Sequence, residues 1–271
     1  MPPAALESEE LIKSAKRRRW PLVLVMLALV VSVSANFMLY RQTMIEYSEL
    51  QRVHLDPTHA RVYVPANQAL WDKPLNAKRV VMFGDSRIEM WHPAPAIPGC
   101  QFVNRGVGGQ TTAEIQQRVD RDVIALHPDL VVIEMGVNNL KTLGVFPERE
   151  DEIVKSCDEQ TDLILKSLSD HHIPVVMLTI FPVGSVPWVR RSTWSDRIPV
   201  VVAAYNRRLL ELKRPGLTVI DCDPALAVDG RMNPRYAVDT LHVNEAGYGA
   251  LNQLIEPTLG RLLSQPGSAP Q

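Results

Sequence analysis

Five short apolar runs, each followed by a stretch of helical periodicity, constrain this chain more tightly than any other feature. Val80–Phe83, Phe102–Asn104, Leu130–Met135, Val175–Ile180 and Leu217–Ile220 are mostly continuous rather than alternating, as parallel strands covered on both faces are. Between them, Thr111 with Glu114 forms a capping box ahead of Ile115, Val119 and Val123. Ile153, Cys157, Ile164 and Leu168 mark a second helix, and Val202, Tyr205, Leu209 and Leu212 a third. A last helix is predicted from about Glu245, capped by Asn244, with Pro257 kinking or restarting it. Strand, helix and strand repeated this way predict a doubly wound α/β sandwich with five parallel strands. Residues 78–264 carry the pattern as one domain without internal repeats, and 265–271 read as a flexible tail.

The N-terminal part follows a different pattern. Residues 1–19 are polar and end in Lys16-Arg17-Arg18-Arg19, after which Trp20 to Tyr40 contains no charge. As a helix that uncharged stretch spans roughly 31 Å, against a hydrocarbon core of about 30 Å. Trp20 and Tyr40 occupy aromatic-belt positions, and the basic excess before the span places the N-terminus in the cytoplasm and the rest outside. The alternative is a cleaved signal peptide ending at Val33-Ser34-Ala35, although the apolar run continues through Phe37-Met38-Leu39. Residues 41–77 read as a stalk and approach segment, loosely helical at first and interrupted by Pro57, Pro65 and Pro74.

Composition narrows the functional classes. With 271 residues, 46% hydrophobic, the chain can bury a full core, and a net charge of −1 offers no basic excess for nucleic acid. Cys100, Cys157 and Cys222 lack the spacing of a metal knuckle or redox pair, which leaves buried thiols or one disulfide.

Reactive groups in open α/β sheets gather at the carboxyl ends of the strands. Val80-Val81-Met82-Phe83 runs directly into Gly84-Asp85-Ser86, making Ser86 the candidate nucleophile. His127, His171 and His172 precede strands, and His54 and His59 belong to the approach segment. His92 lies in a Pro-rich loop and reads as a surface residue, which leaves His242 as base. Asp239, three residues earlier, can hold Nδ1–H and free Nε2 for the Ser86 proton. The loop 104–112 exposes backbone N–H groups at Gly106, Gly108 and Gly109, and Asn138 after the third strand offers an amide. Together they suit an oxyanion hole formed by Ser86, Gly109 and Asn138. The glycine loop lacks the Lys-Ser/Thr ending of a phosphate-binding loop.

Gly84-Asp85-Ser86, the loop NRGVGGQTT, Gly136-Val137-Asn138-Asn139 and the closing DTLHVNEAGY resemble, in order, the four blocks of the SGNH (GDSL-like) hydrolases. The third and last blocks are most similar to the branch containing the platelet-activating-factor acetylhydrolase catalytic subunits. The resemblance, over roughly residues 78–264, implies a three-layer flavodoxin-like fold with no metal or organic cofactor. It implies the roles already assigned to Ser86, His242, Asp239, Gly109 and Asn138. Arg87 departs from the usual Leu, and Asn139 stands where many members have Asp.

The expected activity is that of a membrane-anchored serine hydrolase cleaving short acyl esters, with acetyl the leading choice, on O-acetylated glycans or lysolipid-like molecules. The rivals are an acyltransferase onto envelope glycans and a catalytically idle envelope-binding module. The long connection from Ile180 to Arg197 carries Trp188, Arg190, Arg191 and Trp194 and reads as a wall or lid, joined by Trp91 and Phe146. Trp188 and Trp194 are expected to face substrate. Arg87 is expected either to do the same or to be solvated.

Overall fold

A computed structural model describes residues 3–56, 62–71 and 77–264. The predicted tail 265–271, Pro57, Pro74 and His59 lie outside the described residues. The chain divides into two compact units, Met1–Pro57 and Thr58–Gln271.

The first unit is one helix, α1 (Pro3–Leu55). It does not loosen after Tyr40, because residues 41–55 contain neither Gly nor Pro and are tied by local pairs. Gln42 Nε2 donates to Glu46 Oε1 at 2.6 Å, and Arg52 pairs with Glu49 at 3.4 Å. Trp20, Leu22–Met26 and Phe37–Tyr40 are exposed along it. By length and composition this helix suits either a membrane span or a signal sequence.

The second unit opens with α2 (Val64–Trp71), in which Pro65 occupies the first turn and so starts the helix instead of interrupting it. The five strands are β1 (Lys78–Gly84), β2 (Cys100–Gly106), β3 (Leu130–Glu134), β4 (Val175–Leu178) and β5 (Leu217–Ile220). They form one parallel sheet in the order β2-β1-β3-β4-β5. Chain direction reverses beside β1, so the carboxyl ends of β1 and β3 flank a topological switch point.

Alternation along each strand builds the two outer layers. Val80, Met82, Leu130, Val132, Val176 and Leu178 face one way, onto Tyr248, Leu251, Ile255 and Leu259 of α10 (Glu245–Ser264). Val81, Phe83, Val131, Ile133 and Met177 face the other way, onto Ile164, Leu165 and Leu168 of α7 (Glu150–Asp170). A third cluster joins α8 (Arg197–Glu211) to Leu140, Ile180 and Leu241. The expected α/β sandwich is therefore present, with a small hairpin, β6 (Ala227–Val228) and β7 (Arg231–Met232), in addition.

Two helix expectations differ in detail. The segment behind the Thr111–Glu114 box splits into α4 (Thr112–Gln116) and α5 (Val119–Asp122), because Arg118 between them adopts a non-helical backbone and turns its side chain into the core. The final helix runs through Pro257 without restarting. Asn244 caps it, its Oδ1 accepting the Gly247 N–H at 3.0 Å.

Candidate active site

At the end of β1, Asp85 turns the chain into a single helical turn, α3 (Ser86–Glu89), by accepting the Arg87 N–H at 3.0 Å. Ser86 thus sits half-buried at the carboxyl edge of the sheet. The loop from Asp239 to Val243 crosses to meet it. Asp239 Oδ1 accepts the N–H groups of Leu241 (2.7 Å) and His242 (2.8 Å), a tight turn that brings Oδ2 to 2.9 Å from His242 Nδ1. His242 Nε2 lies 3.0 Å from Ser86 Oγ. Burial pushes the Asp239 carboxyl up, but the hydrogen bonds from the His242 ring and the two backbone N–H groups outweigh it and hold the pKa at about 2. An ionised Asp239 keeps the proton on Nδ1 and leaves Nε2 as the acceptor facing the serine hydroxyl.

The other two loops converge on the same edge. Asn138, in the turn α6 (Val137–Leu140) after β3, donates from Nδ2 to Gln110 O at 2.9 Å, and Asn139 Oδ1 accepts the Thr112 N–H at 2.9 Å. These bonds fasten the glycine loop to the end of β3. Within that loop Gly106 is excluded as an oxyanion donor, because its N–H already goes to Asn104 Oδ1 at 2.9 Å. A side chain there would also strike the Glu89 backbone at 2.0 Å. Gly108 lies against Ser86, a Cβ on it falling 3.7 Å from the Ser86 Cβ, and Gly109 (φ +79°) is exposed beside it. A hydroxyl, an imidazole and a carboxylate in hydrogen-bonded sequence, on the same sheet edge as the exposed Gly108–Gly109 backbone and the buried Asn138 amide, suit acyl transfer. Among the described residues no cluster of His, Cys, Asp or Glu suits a metal ion.

The profile of the GDSL-like lipase/acylhydrolase family matches residues 83–250, more than half of the chain. The chain belongs to the GDSL-like lipase/acylhydrolase family. A GDSL-like lipase from Bacteroides thetaiotaomicron shares the fold at a TM-score of 0.63 and 24% identity, covering 75% of this chain and 98% of its own. A protein from Streptococcus pneumonia named for platelet activating factor superposes at 0.65 with 18% identity, covering 79% and 99%. An acetylxylan esterase from Geobacillus stearothermophilus superposes at 0.52 with 17% identity, covering 69% and 97%. No curated protein matches the sequence. The chain is an esterase-type hydrolase of this family.

In this acylhydrolase the substrate-facing expectation fails for Arg87, as does the solvated alternative. The side chain is wholly buried beneath Ser86. Its Nε donates to Leu241 O at 3.0 Å, its Nη1 pairs with Glu134 Oε1 at 3.1 Å, and its guanidinium lies 5.2 Å from the Phe181 ring centroid. As the second residue of α3, directly after Ser86, it points into the sheet, where Glu134 at the end of β3 supplies a counter-charge. Trp91 is likewise a core residue, packed on Phe181 and Tyr248 with Nε1 donating to Asn252 Oδ1 at 2.9 Å. Trp188 stands 80% exposed at the start of a helical turn, residues 188–193, while Trp194 packs partly against the α8 cluster. All three cysteines are free. Cys157 and Cys222 are buried, and burial pushes the Cys157 thiol up to about 12.

Four site-supporting residues escaped the sequence reading. Glu134 is fully buried and pushed up to about 8, first by burial and then by the charge of Asp85, which is itself raised by burial. Its signal was a carboxylate at the end of the apolar run Leu130–Met135, with an unexplained Arg87 elsewhere to match it. Arg118 donates to Gly84 O, Arg105 O and Gln110 Oε1, each at 2.6 Å, bracing β1, β2 and the glycine loop from behind. Tyr63 and Asn67, from the supposed approach segment, pack on this frame. Tyr63 donates to Gly106 O at 2.5 Å, and Asn67 bridges Arg105 and Asp122.

Proposed function

We propose that this protein hydrolyses short acyl esters, acetyl esters foremost, with Ser86 as nucleophile, His242 as general base and Asp239 as the group that orients it. The observation that carries the reading is the unbroken line Ser86 Oγ–His242 Nε2 (3.0 Å) and His242 Nδ1–Asp239 Oδ2 (2.9 Å). His242 takes the hydroxyl proton as Ser86 adds to the carbonyl, then returns it to the leaving alcohol. Water, deprotonated by the same nitrogen, releases the acyl group.

The oxyanion collects the N–H groups of Ser86 and Gly109 and the second N–H of the Asn138 amide, whose first is committed to Gln110 O. Each such donor typically lowers the barrier by about 2.7–4 kcal/mol. The chemistry needs no metal or organic cofactor.

Residues 20–40 anchor the chain in a membrane, with the N-terminus cytoplasmic and the hydrolase unit outside. O-acetylated glycans or lysolipid-like esters are then the substrates within reach. Support for acetyl chemistry comes from the acetylxylan esterase of similar fold, and support for the platelet-activating-factor-like branch from the closing motif and the streptococcal protein.

The test uses the full chain in detergent. Wild type should hydrolyse p-nitrophenyl acetate and accept a fluorophosphonate label, and Ser86→Ala should lose both. Hydrolysis and labelling that persist in Ser86→Ala would remove Ser86 as nucleophile.

A further inference from the structure

The short helix ahead of the sheet turns one face toward it. Tyr63, Asn67 and Leu70 follow at helical spacing, and the Asn67 N–H donates to Tyr63 O at 2.8 Å, so the first turn of α2 begins at Tyr63. Leu70 packs into the core cluster that contains Val81 and Phe83, and Arg79 Nη2 donates to its carbonyl at 3.3 Å. Asn67 is fully buried. Its Oδ1 accepts Arg105 Nε at 2.8 Å, and its Nδ2 donates to Asp122 Oδ1 at 2.8 Å and Arg121 O at 3.1 Å. Fastened in this way, α2 sets the Tyr63 ring 4.6 Å from the guanidinium carbon of Arg105 and its hydroxyl on Gly106 O at 2.5 Å.

That carbonyl stands where the glycine loop begins. β2 is an edge strand, so the outward groups of its last residue have no neighbouring strand to pair with. Side chains take the place of one. The Gly106 N–H goes to Asn104 Oδ1 at 2.9 Å, and the carbonyls of Asn104 and Arg105 accept Arg105 Nη1 at 2.7 Å and Arg118 Nη1 at 2.6 Å. Tyr63 completes the set at Gly106 O. The Val107 N–H then donates to Gly84 O at 3.1 Å, the exposed Gly108 and Gly109 follow, and Asn138 catches the loop again at Gln110 O. Every hold except that of Tyr63 comes from within residues 83–250, the part matched by the family. Burial, then the charge of Glu89, pushes the Tyr63 pKa up against the pull of Arg118 and Arg105, so the hydroxyl keeps the proton that it donates.

We infer that Tyr63 is a positioning residue of the esterase site, holding the Gly106 carbonyl so that the loop delivers the Gly109 N–H to the oxyanion. The inference rests on the reading of Ser86 as nucleophile and Gly109 as donor, and it extends the site to a helix that precedes the sheet. A donor aimed at developing charge acts in the transition state and not on the bound ester, and a misplacement of about 1 Å can cost about 10²-fold in rate.

The experiment is Tyr63→Phe in the full chain in detergent, which keeps the ring over Arg105 and removes only the hydroxyl. Turnover of p-nitrophenyl acetate is counted per fluorophosphonate-labelled site, so any unfolded fraction drops out. On that basis kcat should fall about fivefold, the size of one neutral hydrogen bond, with KM within about twofold of wild type. Inhibition by phenylboronic acid, whose tetrahedral adduct on Ser86 puts an oxygen among the same donors, should weaken by a similar factor. Deuterium exchange should quicken in peptides within 104–112 and keep the wild-type rate in β3 and β4. A kcat per labelled site within about twofold of wild type, or a loss carried by KM, would overturn the inference. Unchanged exchange within 104–112 would overturn it as well. Exchange needs no chemistry at Ser86, so it still decides if the chain cleaves no ester: a loosened loop upholds the part played by Tyr63, and an unaltered loop removes it.

Discussion

Replacing Arg87 by Met tests the link between the nucleophile turn and the histidine loop. Arg87 is the charge that two fully buried carboxylates, Asp85 and Glu134, have in common. Its guanidinium also holds the carbonyl of Leu241, the residue immediately before His242. Taking away one partner of a buried ion pair typically costs about 3–5 kcal/mol, because the other charge is stranded. The orphaned Leu241 carbonyl adds about 1 kcal/mol. For a unit of this size each kcal/mol lowers Tm by roughly 2–4 °C, so the midpoint should fall on the order of 10 °C.

The loss should depend on pH in a definite direction. Glu134 has its pKa raised from 4.5 to about 8, so between those values the native state holds a proton that the unfolded chain releases. That contribution to stability is fully present below about pH 4.5 and disappears as pH rises through about 8. Arg87→Met should therefore be most harmful near pH 8 and mildest near pH 5, where the stranded carboxylates protonate freely, and Glu134→Gln should flatten the wild-type slope. Pairing Arg87→Met with Glu134→Gln removes both charges, and the double variant should recover at least about 2 kcal/mol relative to the sum of the singles. The assay is urea unfolding of the four proteins at both pH values, with p-nitrophenyl acetate turnover beside it. A loss below about 1 kcal/mol at pH 8, or two losses that simply add, would refute the reasoning.

Three further outcomes are expected. Asp239→Asn should lower kcat by about 10⁴-fold with little change in KM, because an amide no longer selects the Nδ1–H tautomer; a loss under tenfold, read from steady-state kinetics, would remove Asp239 from the orienting role. Gly144→Ala should push the turn at 188–193 off Lys141–Gly144, since the added Cβ would stand 2.1 Å from Thr193 O, and faster limited proteolysis within 186–194 would report it. Trp188→Ala should leave stability within about 0.5 kcal/mol of wild type, its ring being 80% exposed. Trp194→Ala, partly packed on the α8 cluster, should cost more. Both should change the ratio of kcat/KM between acetyl and longer acyl esters, and a fixed ratio would deny this connection any part in substrate choice.

Much of this architecture was legible in the linear pattern because its physics is local. Largely continuous apolar runs such as Val80–Phe83 and Leu130–Ile133 suit strands buried on both faces, and strands of that kind joined by helices assemble into a parallel sheet. Ser86, Asp239 and His242 could be picked out for a related reason: the carboxyl ends of parallel strands lie on one edge, so position in the strand order already places a loop in space. The uncharged stretch Trp20–Tyr40 marked its helix unaided, although its end at Leu55 instead of near Tyr40 depended on the uninterrupted residues that follow.

What the pattern could not decide was the direction of individual side chains after the backbone turns. Arg87 reads as polar and therefore exposed, yet the first turn of α3 aims it into the sheet, where Glu134 arrives from a strand 47 residues away. Trp91 and Trp188 are alike in sequence terms, and only packing sends one into the core and leaves the other in solvent. The close approach of Gly144 to Thr193, which docks the turn at 188–193 on the turn Lys141–Gly144, is likewise invisible in one dimension. The sequence by itself determined the strands and the loops at their carboxyl ends, where the proposed reacting groups lie, since those follow from local periodicity and strand polarity. Tertiary structure alone decided which charges are buried together, because that depends on distances between segments remote in the chain.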